Sequence, residues 1–516
     1  MVFSSADYPV FLIAVFFLYH LVGAGLRRAP LAEAMRLTLA CALGDLVYLL
    51  LCKNPRRLWD PFGASLAATF GALPWRELIR PDHLVRYVAG ALTLTASLAL
   101  GRRHATRIDD DRTQNVVAKA VSLALVAVGV TVLIGSLTQR LDAISEHIAR
   151  AAHLAYVALI GVALGASRAV APERGEDGRP TAKLLVLFAA SALFYHAWAA
   201  TMSGAYRYLL ALILGTIALD YWLGLWIADT PRERTAARRV LVALSLVANL
   251  GVLGLFKYYD FFVKNAARAF ELGGYTFPLH PVALILPAGI SFHTFQSLSY
   301  TLDVHARGLK PTRSILRFAT FVLFFPQLVA GPIVRAETFL PQLTPRSRPG
   351  LAGLGDALAA PGLLRIALGL AKKVCVADVL AVTLVDRVFE HPSRYSGLEC
   401  LAAVYGYALQ IYFDFSAYSD IAIGSAALLG FELPENFARP YGARSLQDFW
   451  HRWHITLSTW LRDYLYIPLG GSRGDELETY RNLLVTMLLG GLWHGAGWTF
   501  IAWGALHGVG LAVTRG

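Results

Sequence analysis

The chain has 516 residues, of which 56% are hydrophobic and only 16% are charged, and its mean hydropathy is +0.50. An ordinary soluble domain has about 25% charged residues, so this composition excludes a soluble globular protein and indicates a polytopic, all-α membrane protein. The formal net charge is +12, but the arginines lie in short clusters between apolar segments, as in cytosolic loops. The positive charge is therefore interpreted as a mark of the cytosolic loops of a membrane protein, and nucleic acid is not an expected partner.

About a dozen apolar segments are long enough to be membrane helices. The first, 8–26, is interpreted as a retained transmembrane helix rather than a signal peptide, because Arg27 and Arg28 follow it. The predicted segments lie near 8–26, 33–52, 84–101, 115–137, 149–170, 182–200, 207–228, 238–256, 280–300, 316–334, 358–382, 398–430 and 482–514. Each of the last two is long enough to bend or to form two pieces.

A polar stretch, 172–183, is the best predicted internal boundary, because its Pro, Gly and charged residues suit an exposed loop. The predicted organisation is a first transmembrane helix at 1–26, an additional helical membrane region of unknown role at 27–180, and a core at 181–516. Four cysteines lie in or beside apolar segments without metal-like spacing, so no metal site is predicted. They are Cys41, Cys52, Cys375 and Cys400.

The stretch from Pro434 to Tyr480 differs from the rest because it is rich in Trp, Tyr, Arg and His. Its aromatic and apolar residues from Phe449 to Tyr464 recur at helical spacing, with charged residues between them. This pattern predicts an interfacial or re-entrant helix, since polar backbone at membrane depth is tolerated where protein buries it. An aromatic belt at the level of the lipid headgroups is the alternative interpretation.

His494 lies within an uncharged apolar run from Leu483 to Leu506. Such a run can cross a bilayer, and ionisable groups at that depth are costly and usually functional. Two interpretations follow from the run alone: a core histidine that bonds a neighbouring helix, or a catalytic base. Glycines on both sides of His494 would allow close approach of another helix or of a substrate.

Several ordered motifs resemble the membrane-bound O-acyltransferase (MBOAT) family, in particular the bacterial branch that includes the membrane subunit of alginate O-acetylation. The motifs are Leu286 to Phe292 (LPAGISF), Phe324 to Arg335 (FFPQLVAGPIVR), Ala371 to Lys373 (AKK), Tyr412 to Asp420 (YFDFSAYSD), Arg452 to Ser458 (RWHITLS), Trp460 to Gly471 (WLRDYLYIPLGG) and Gly491 to Gly495 (GLWHG). The resemblance implies a multi-helix bundle with re-entrant or interfacial helices around a tunnel.

The resemblance assigns the catalytic histidine to His494 and an assisting role to His454. Further candidates for contact with substrate or tunnel are Trp453, Arg462, Asp463, Trp493, Asp414 and His293. An aspartate or arginine in such a segment can equally form a buried structural pair. His293 stands where this branch usually has Tyr, which makes it either a tunnel residue of this protein or a core substitute. Relatives commonly continue beyond the position of His507, so a short form or a longer parent chain is expected.

The resemblance implies an O-acetyltransferase of the inner (plasma) membrane, spanning it several times, with lipid as its surroundings. The expected donor is a cytosolic thioester such as acetyl-CoA, a substrate rather than a bound cofactor. The expected acceptor is an exopolysaccharide hydroxyl or a periplasmic acetyltransferase partner. Arginines at 232–239 and 439–481 predict that both stretches are cytosolic.

Three alternatives stay open. One is transfer of D-alanyl or another acyl group to a cell-envelope polymer. A flippase or transporter would be favoured by inverted repeats with broken helices, which the sequence does not display. A non-catalytic scaffold that anchors an extracellular acetyltransferase would tolerate replacement of both His494 and His454.

Overall fold

In a computed structural model of the protein, the described residues are 182–199, 209–328, 331–343 and 359–515, with Leu12 and Val15. The predicted segments between 27 and 170, and nearly all of 8–26, lie outside them. Every regular element in the described part is helical, which confirms the all-α prediction. The α-helices are α1 (Ala182–Ala199), α2 (Leu209–Asp229), α3 (Thr235–Leu272), α4 (Ile290–Ala306), α5 (Ile315–Leu323), α6 (Phe325–Leu328), α7 (Ala336–Phe339), α8 (Ala359–Ala371), α9 (Asp378–Leu380), α10 (Asp386–Glu390), α11 (Gly397–Leu428), α12 (Leu446–Arg452), α13 (Ile455–Leu461), α14 (Glu476–His494) and α15 (Trp498–Val513).

Other helical forms extend or join some of these elements. The π-helical segments are Lys372–Ala377, Ala381–Val385 and Arg462–Tyr466, and the 3-10 segments are Leu340–Leu343, Pro392–Arg394 and Pro440–Gly442. Of the described residues, those up to Ala218 and those at 314–320 belong to one compact unit. Residues 219–313 and the described residues from Phe321 onward belong to a second unit, which contains all the predicted site residues.

The observed helices differ from several predicted segments. The segment predicted at 280–300 is helical only from Ile290, and the one at 316–334 is broken into α5, α6 and an irregular stretch. Apolar composition predicted these segments, but it does not report where backbone hydrogen bonding stops. Residues 482–514 form two helices as predicted, whereas α11 is one unbroken helix of 32 residues.

Helix α3 has an apolar outer face and a partly polar inner face. Its exposed side chains include Val240, Leu244 and Val247, while Ser245 and Asn249 are buried. This is the reverse of a soluble amphipathic helix and suits a surface that faces lipid. In the described part, α2 and α3 are the helices of 18 or more residues that are apolar enough to cross a membrane.

A buried apolar cluster holds α4, α13 and the end of α14 together. The Trp460 ring stacks on the Phe295 ring with centroids 3.8 Å apart, and Trp460 Nε1 donates to the Phe295 carbonyl at 3.0 Å. Trp493 belongs to the same cluster and stacks on Phe295 at 5.3 Å. Because large aromatic side chains bury much apolar surface in defined geometries, this cluster fixes the end of α14 relative to α13.

Candidate active site

His454 lies at a break between two short helices rather than inside one. The helical spacing of 449–464 predicts a continuous helix, but α12 ends at Arg452 and α13 begins at Ile455. His454 joins them with φ 41° and ψ 54°, in the left-handed region that non-glycine residues rarely adopt. The prediction of one helix is therefore wrong at this residue. Strained backbone of this kind persists only where surrounding contacts determine it, and it is concentrated at functional sites.

Asn436 supplies those contacts by bonding three consecutive residues. Its backbone carbonyl accepts from Ile455 N at 3.0 Å. Its side-chain Oδ1 accepts from Thr456 Oγ1 at 2.9 Å and lies 3.1 Å from His454 Nδ1. Asn436 is fully buried, and it satisfies N–H groups at the start of α13 that no helical partner can reach. The sequence interpretation missed Asn436.

The His454 ring, 1% exposed, lies among aromatic side chains from three helices. Its centroid is 6.3 Å from Phe292 of α4, 4.7 Å from Phe415 of α11 and 6.2 Å from Trp493 of α14. These rings shield the imidazole from solvent. Hydrogen bonds are strong in such an apolar surrounding.

His494 is the last residue of α14, and Trp493 lies between it and His454. The Trp493 and His494 rings meet edge to face at 5.0 Å, and the other side of His494 contacts Trp503 of α15 at 5.1 Å. On its other side the Trp493 ring lies 6.2 Å from the His454 ring. The structure thus brings together three of the sequence-predicted residues, His454, Trp493 and His494, although the histidines are 40 positions apart in the sequence.

Helix α3 anchors the end of α14 through two adjacent side chains. Tyr258 Oη donates to the Leu492 carbonyl at 2.8 Å, and Lys257 Nζ donates to the Trp493 carbonyl. The last carbonyls of a helix lack intrahelical partners, and a cation at this end also favours the helix dipole. Lys257 also interacts electrostatically with His494. The sequence prediction ended this span at 256 and so missed both residues, although a lysine inside a helical apolar run is itself a signal.

Arg462 and Asp463 lie in a separate ion-paired cluster. Asp463 pairs with Arg335 at 2.7 Å and with Arg462 at 2.7 Å. The neighbouring Tyr464 hydroxyl donates to both oxygens of Asp303 at 2.8 Å, and the Arg335 guanidinium lies over the Tyr464 ring at 4.9 Å. Asp463 is therefore engaged by structural partners, while the largely exposed Arg462 extends to the surface.

The other predicted candidates are dispersed. Asp414 forms an ion pair with Lys373 at 2.7 Å. Trp453 packs in an aromatic cluster and stacks on Phe449 at 5.5 Å. His293 is 3% exposed on α4. Contact of these residues with a substrate stays a prediction.

A cavity of about 400 Å³ opens beside α12, α13, α14 and α15. Arg462, Arg515 and His451 line it together with the hydroxyls of Ser458, Thr459, Tyr466, Ser472 and Thr486. Trp450 is also in its wall and contacts Trp503, the same ring that packs against His494. The cavity thus combines two guanidinium groups and several hydroxyls with a mostly apolar wall, and the rings of Trp450 and Trp503 lie between it and His494.

The model of the MBOAT, membrane-bound O-acyltransferase family, matches residues 180–516. A protein of Pseudomonas aeruginosa named "Probable alginate O-acetylase AlgI" is 44% identical over 334 residues, covering 64% of this chain and 60% of that protein. The Helicobacter pylori protein named "Peptidoglycan O-acetyltransferase" is 41% identical over 355 residues, with 64% of each chain covered. A "Teichoic acid D-alanyltransferase" of Bacillus subtilis is 28% identical over 240 residues, covering 45% of this chain and 60% of that protein. The chain thus spans about 60% of the length of the first of these relatives, and it belongs to the membrane-bound O-acyltransferase family.

Proposed function

We propose that the protein is a multi-pass O-acyltransferase of the inner membrane that moves an acetyl group from a cytosolic thioester to a hydroxyl of an extracellular polysaccharide or of a periplasmic partner acetyltransferase. The observation that carries this proposal is the placement of His454 and His494 on either side of Trp493. Similarity supports acetyl rather than D-alanyl, since identity is 44% to the alginate relative and 28% to the D-alanyl relative.

The chemistry requires a base, because an unactivated alcohol is a weak nucleophile near neutral pH. His494 takes the proton of the acceptor hydroxyl as its oxygen attacks the thioester carbonyl carbon. The new C–O bond forms, the C–S bond breaks, and the departing thiolate receives the proton from the His494 imidazolium. His454 assists by bonding a substrate group beside this centre. Lys257 and Tyr258 keep the end of α14, and with it His494, in place.

The cavity beside α13 supports a donor that carries phosphates. Arg462 and Arg515 supply two guanidinium groups, which suit phosphate oxygens. Acetyl-CoA has this chemistry, whereas a bare pantetheine thioester does not. With Arg462→Gln and Arg515→Gln together, we expect KM for acetyl-CoA to rise at least tenfold and KM for acetyl-pantetheine to change little. An equal rise for both donors would contradict the assignment of this cavity to phosphates.

The test of the function is His494→Ala in the full chain, with the acetyl content of the secreted polymer as readout. We expect a loss of about 100- to 10,000-fold, as for removal of a general base. His391→Ala is the matched control, since His391 is exposed at the end of α10. Unchanged acetylation by a His494→Ala protein that is present in the membrane at normal abundance would refute the mechanism and favour a scaffold.

A further inference from the structure

The hydrogen bonds around Asn436 determine which nitrogen of His454 carries the proton. Asn436 Oδ1 receives the Thr456 N–H at 3.3 Å and the Thr456 hydroxyl at 2.9 Å. Because the Thr456 N–H can only donate, the amide atom that faces it must be the oxygen, and the Thr456 hydroxyl, whose Oγ1 accepts the Ile333 N–H at 3.0 Å, donates to that same oxygen. The amide therefore presents its oxygen, and not its NH2, to this corner of the site.

His454 Nδ1 lies 3.1 Å from the same oxygen. Since an amide oxygen can only accept, Nδ1 must carry a hydrogen. A neutral imidazole has one N–H, so Nε2 holds the lone pair. Nε2 is buried and has no hydrogen-bond partner among the residues that the structure describes. A buried acceptor needs a hydrogen-bond donor, and an N–H or O–H group of a substrate can supply one.

Asn436 is itself held so that it cannot turn away. It is fully buried, its backbone carbonyl accepts from Ile455 N at 3.0 Å, and its side-chain Nδ2 donates to Ser419 Oγ at 3.2 Å. Both ends of the amide are thus fixed by different elements. The same contacts hold His454 in its left-handed backbone conformation, which aims the imidazole into the aromatic pocket of Phe292, Phe415 and Trp493.

We propose that Asn436 is a positioning residue that holds His454 as the Nδ1–H tautomer and so keeps Nε2 as a hydrogen-bond acceptor for an O–H or N–H group of the substrates beside His494. This inference rests on the proposed acyl transfer and adds a residue to it. The bound group donates its hydrogen to Nε2, and no covalent bond at His454 forms or breaks. An Nε2–H tautomer would present a donor instead and would repel such a group.

The test measures thiol release from acetyl-CoA by membranes that contain the full chain, between about pH 5.5 and 8.5. Asn436→Ala is expected to lower kcat/KM at least 30-fold. Asn436→Asp keeps the acceptor oxygen, so we expect at least a tenth of the original kcat/KM to remain. The added carboxylate favours the imidazolium, so the acid limb of the pH profile should move upward by about one unit. His494 is the titratable neighbour that interacts with His454, and Lys257 in turn acts on His494.

A double-mutant cycle separates positioning from mere capping of α13. If Asn436 acts through the imidazole, Asn436→Ala should lower kcat/KM by less than about twofold in a protein that already carries His454→Ala. Asn482→Ala is the matched control, since Asn482 is 2% exposed and bonds the Gly471 carbonyl at 3.1 Å instead of a histidine. Asn482→Ala should lower kcat/KM far less than Asn436→Ala does, and it should not move the acid limb of the pH profile.

The inference is overturned if the losses of kcat/KM from Asn436→Ala and His454→Ala multiply in the double variant. It is also overturned if the acid limb of the pH profile does not move in Asn436→Asp, or if Asn436→Ala and Asn482→Ala lower kcat/KM equally. If Asn436→Ala does not fold, the Asp variant still decides the question through its pH limb. If these tests fail but His494→Ala is inactive, only the role of Asn436 is refuted and the proposed function stands. If His494→Ala is fully active, the proposed function is refuted.

Discussion

Two neighbouring regions around α13 use their polar side chains in opposite ways. In the histidine region, His454 and His494 are held by neutral hydrogen bonds, aromatic rings and the Lys257 contact to a carbonyl, and Nε2 of His454 is left without a partner in the described part. In the ion-paired region, the Asp303 carboxylate is engaged by Arg307 and by the Tyr464 hydroxyl, and the Asp463 carboxylate is engaged by Arg335 and Arg462. The difference indicates that His454 Nε2 is available to a substrate group, whereas the carboxylates of Asp303 and Asp463 are already engaged.

The largest expected effect concerns the packing that carries His494. A Cβ at Gly491 would collide with the Phe500 carbonyl oxygen and lie 3.0 Å from Gly504 Cα, so Gly491→Ala must push α14 and α15 apart. Backbone cannot yield as a side chain can, and we expect a loss of about 3 kcal/mol in unfolding free energy together with loss of acetylation.

Gly497→Ala is the control for this substitution. Its Cβ would meet the Thr499 hydroxyl at an ordinary 3.6 Å, and its backbone is extended, so thermal unfolding of the detergent-solubilised protein should change little. Equal unfolding temperatures for the two alanine variants would show that close approach of α14 and α15 does not support the histidine region.

The ion-paired region should affect stability more than turnover. Asp463→Asn removes the charge that faces Arg335, whose side chain is 18% exposed against 12% for Asp463. Breaking a fully buried pair costs about 3–5 kcal/mol and an exposed pair about 0–1, so we expect about 2 kcal/mol here. Activity per folded molecule should stay within about threefold of the original. A stable Asp463→Asn protein with a large loss of turnover would contradict the difference between the two regions, because it would indicate that Asp463 contacts the substrate.

The third prediction tests the contact between α3 and the end of α14. Lys257→Met keeps the length of the side chain and removes the donor to the Trp493 carbonyl. Loss of one charge-assisted hydrogen bond corresponds to about 1.5–3 kcal/mol, and we expect about a tenfold fall in turnover. Tyr258→Phe removes a neutral bond to Leu492 and should cost less. If Tyr258→Phe is the more damaging of the two, the charge of Lys257 does not contribute to the site.

Sequence reasoning located the main features of the site because they are encoded locally. The apolar run around His494 and the aromatic segment around His454 are contiguous, and the ordered motifs identify the family. The same reasoning treated Arg462, Asp463 and Asp414 as equal candidates for substrate or structure. The partners of the two aspartates, Arg335 and Lys373, lie on other elements, so these ion pairs could not be read from spacing.

Several fold predictions failed for a related reason. Residues 280–289 are as apolar as a helix but lie in an irregular stretch before α4. The helical spacing of 449–464 does not reveal the break at His454, because Asn436 imposes it from 18 positions away. Hydrophobic periodicity reports which faces are buried, and it cannot report a backbone conformation that a distant side chain stabilises.

By itself, the sequence determined the all-α membrane class and the family, and it singled out the two histidines as candidates, because composition, hydropathy and short motifs are local properties of the chain. Only the tertiary structure decided that Asn436 fixes the tautomer of His454, that Lys257 reaches Trp493 across 236 positions, and that the Asp463 carboxylate is already paired. Hydrogen bonds and ion pairs depend on distances of about 3 Å between atoms that the fold alone brings together.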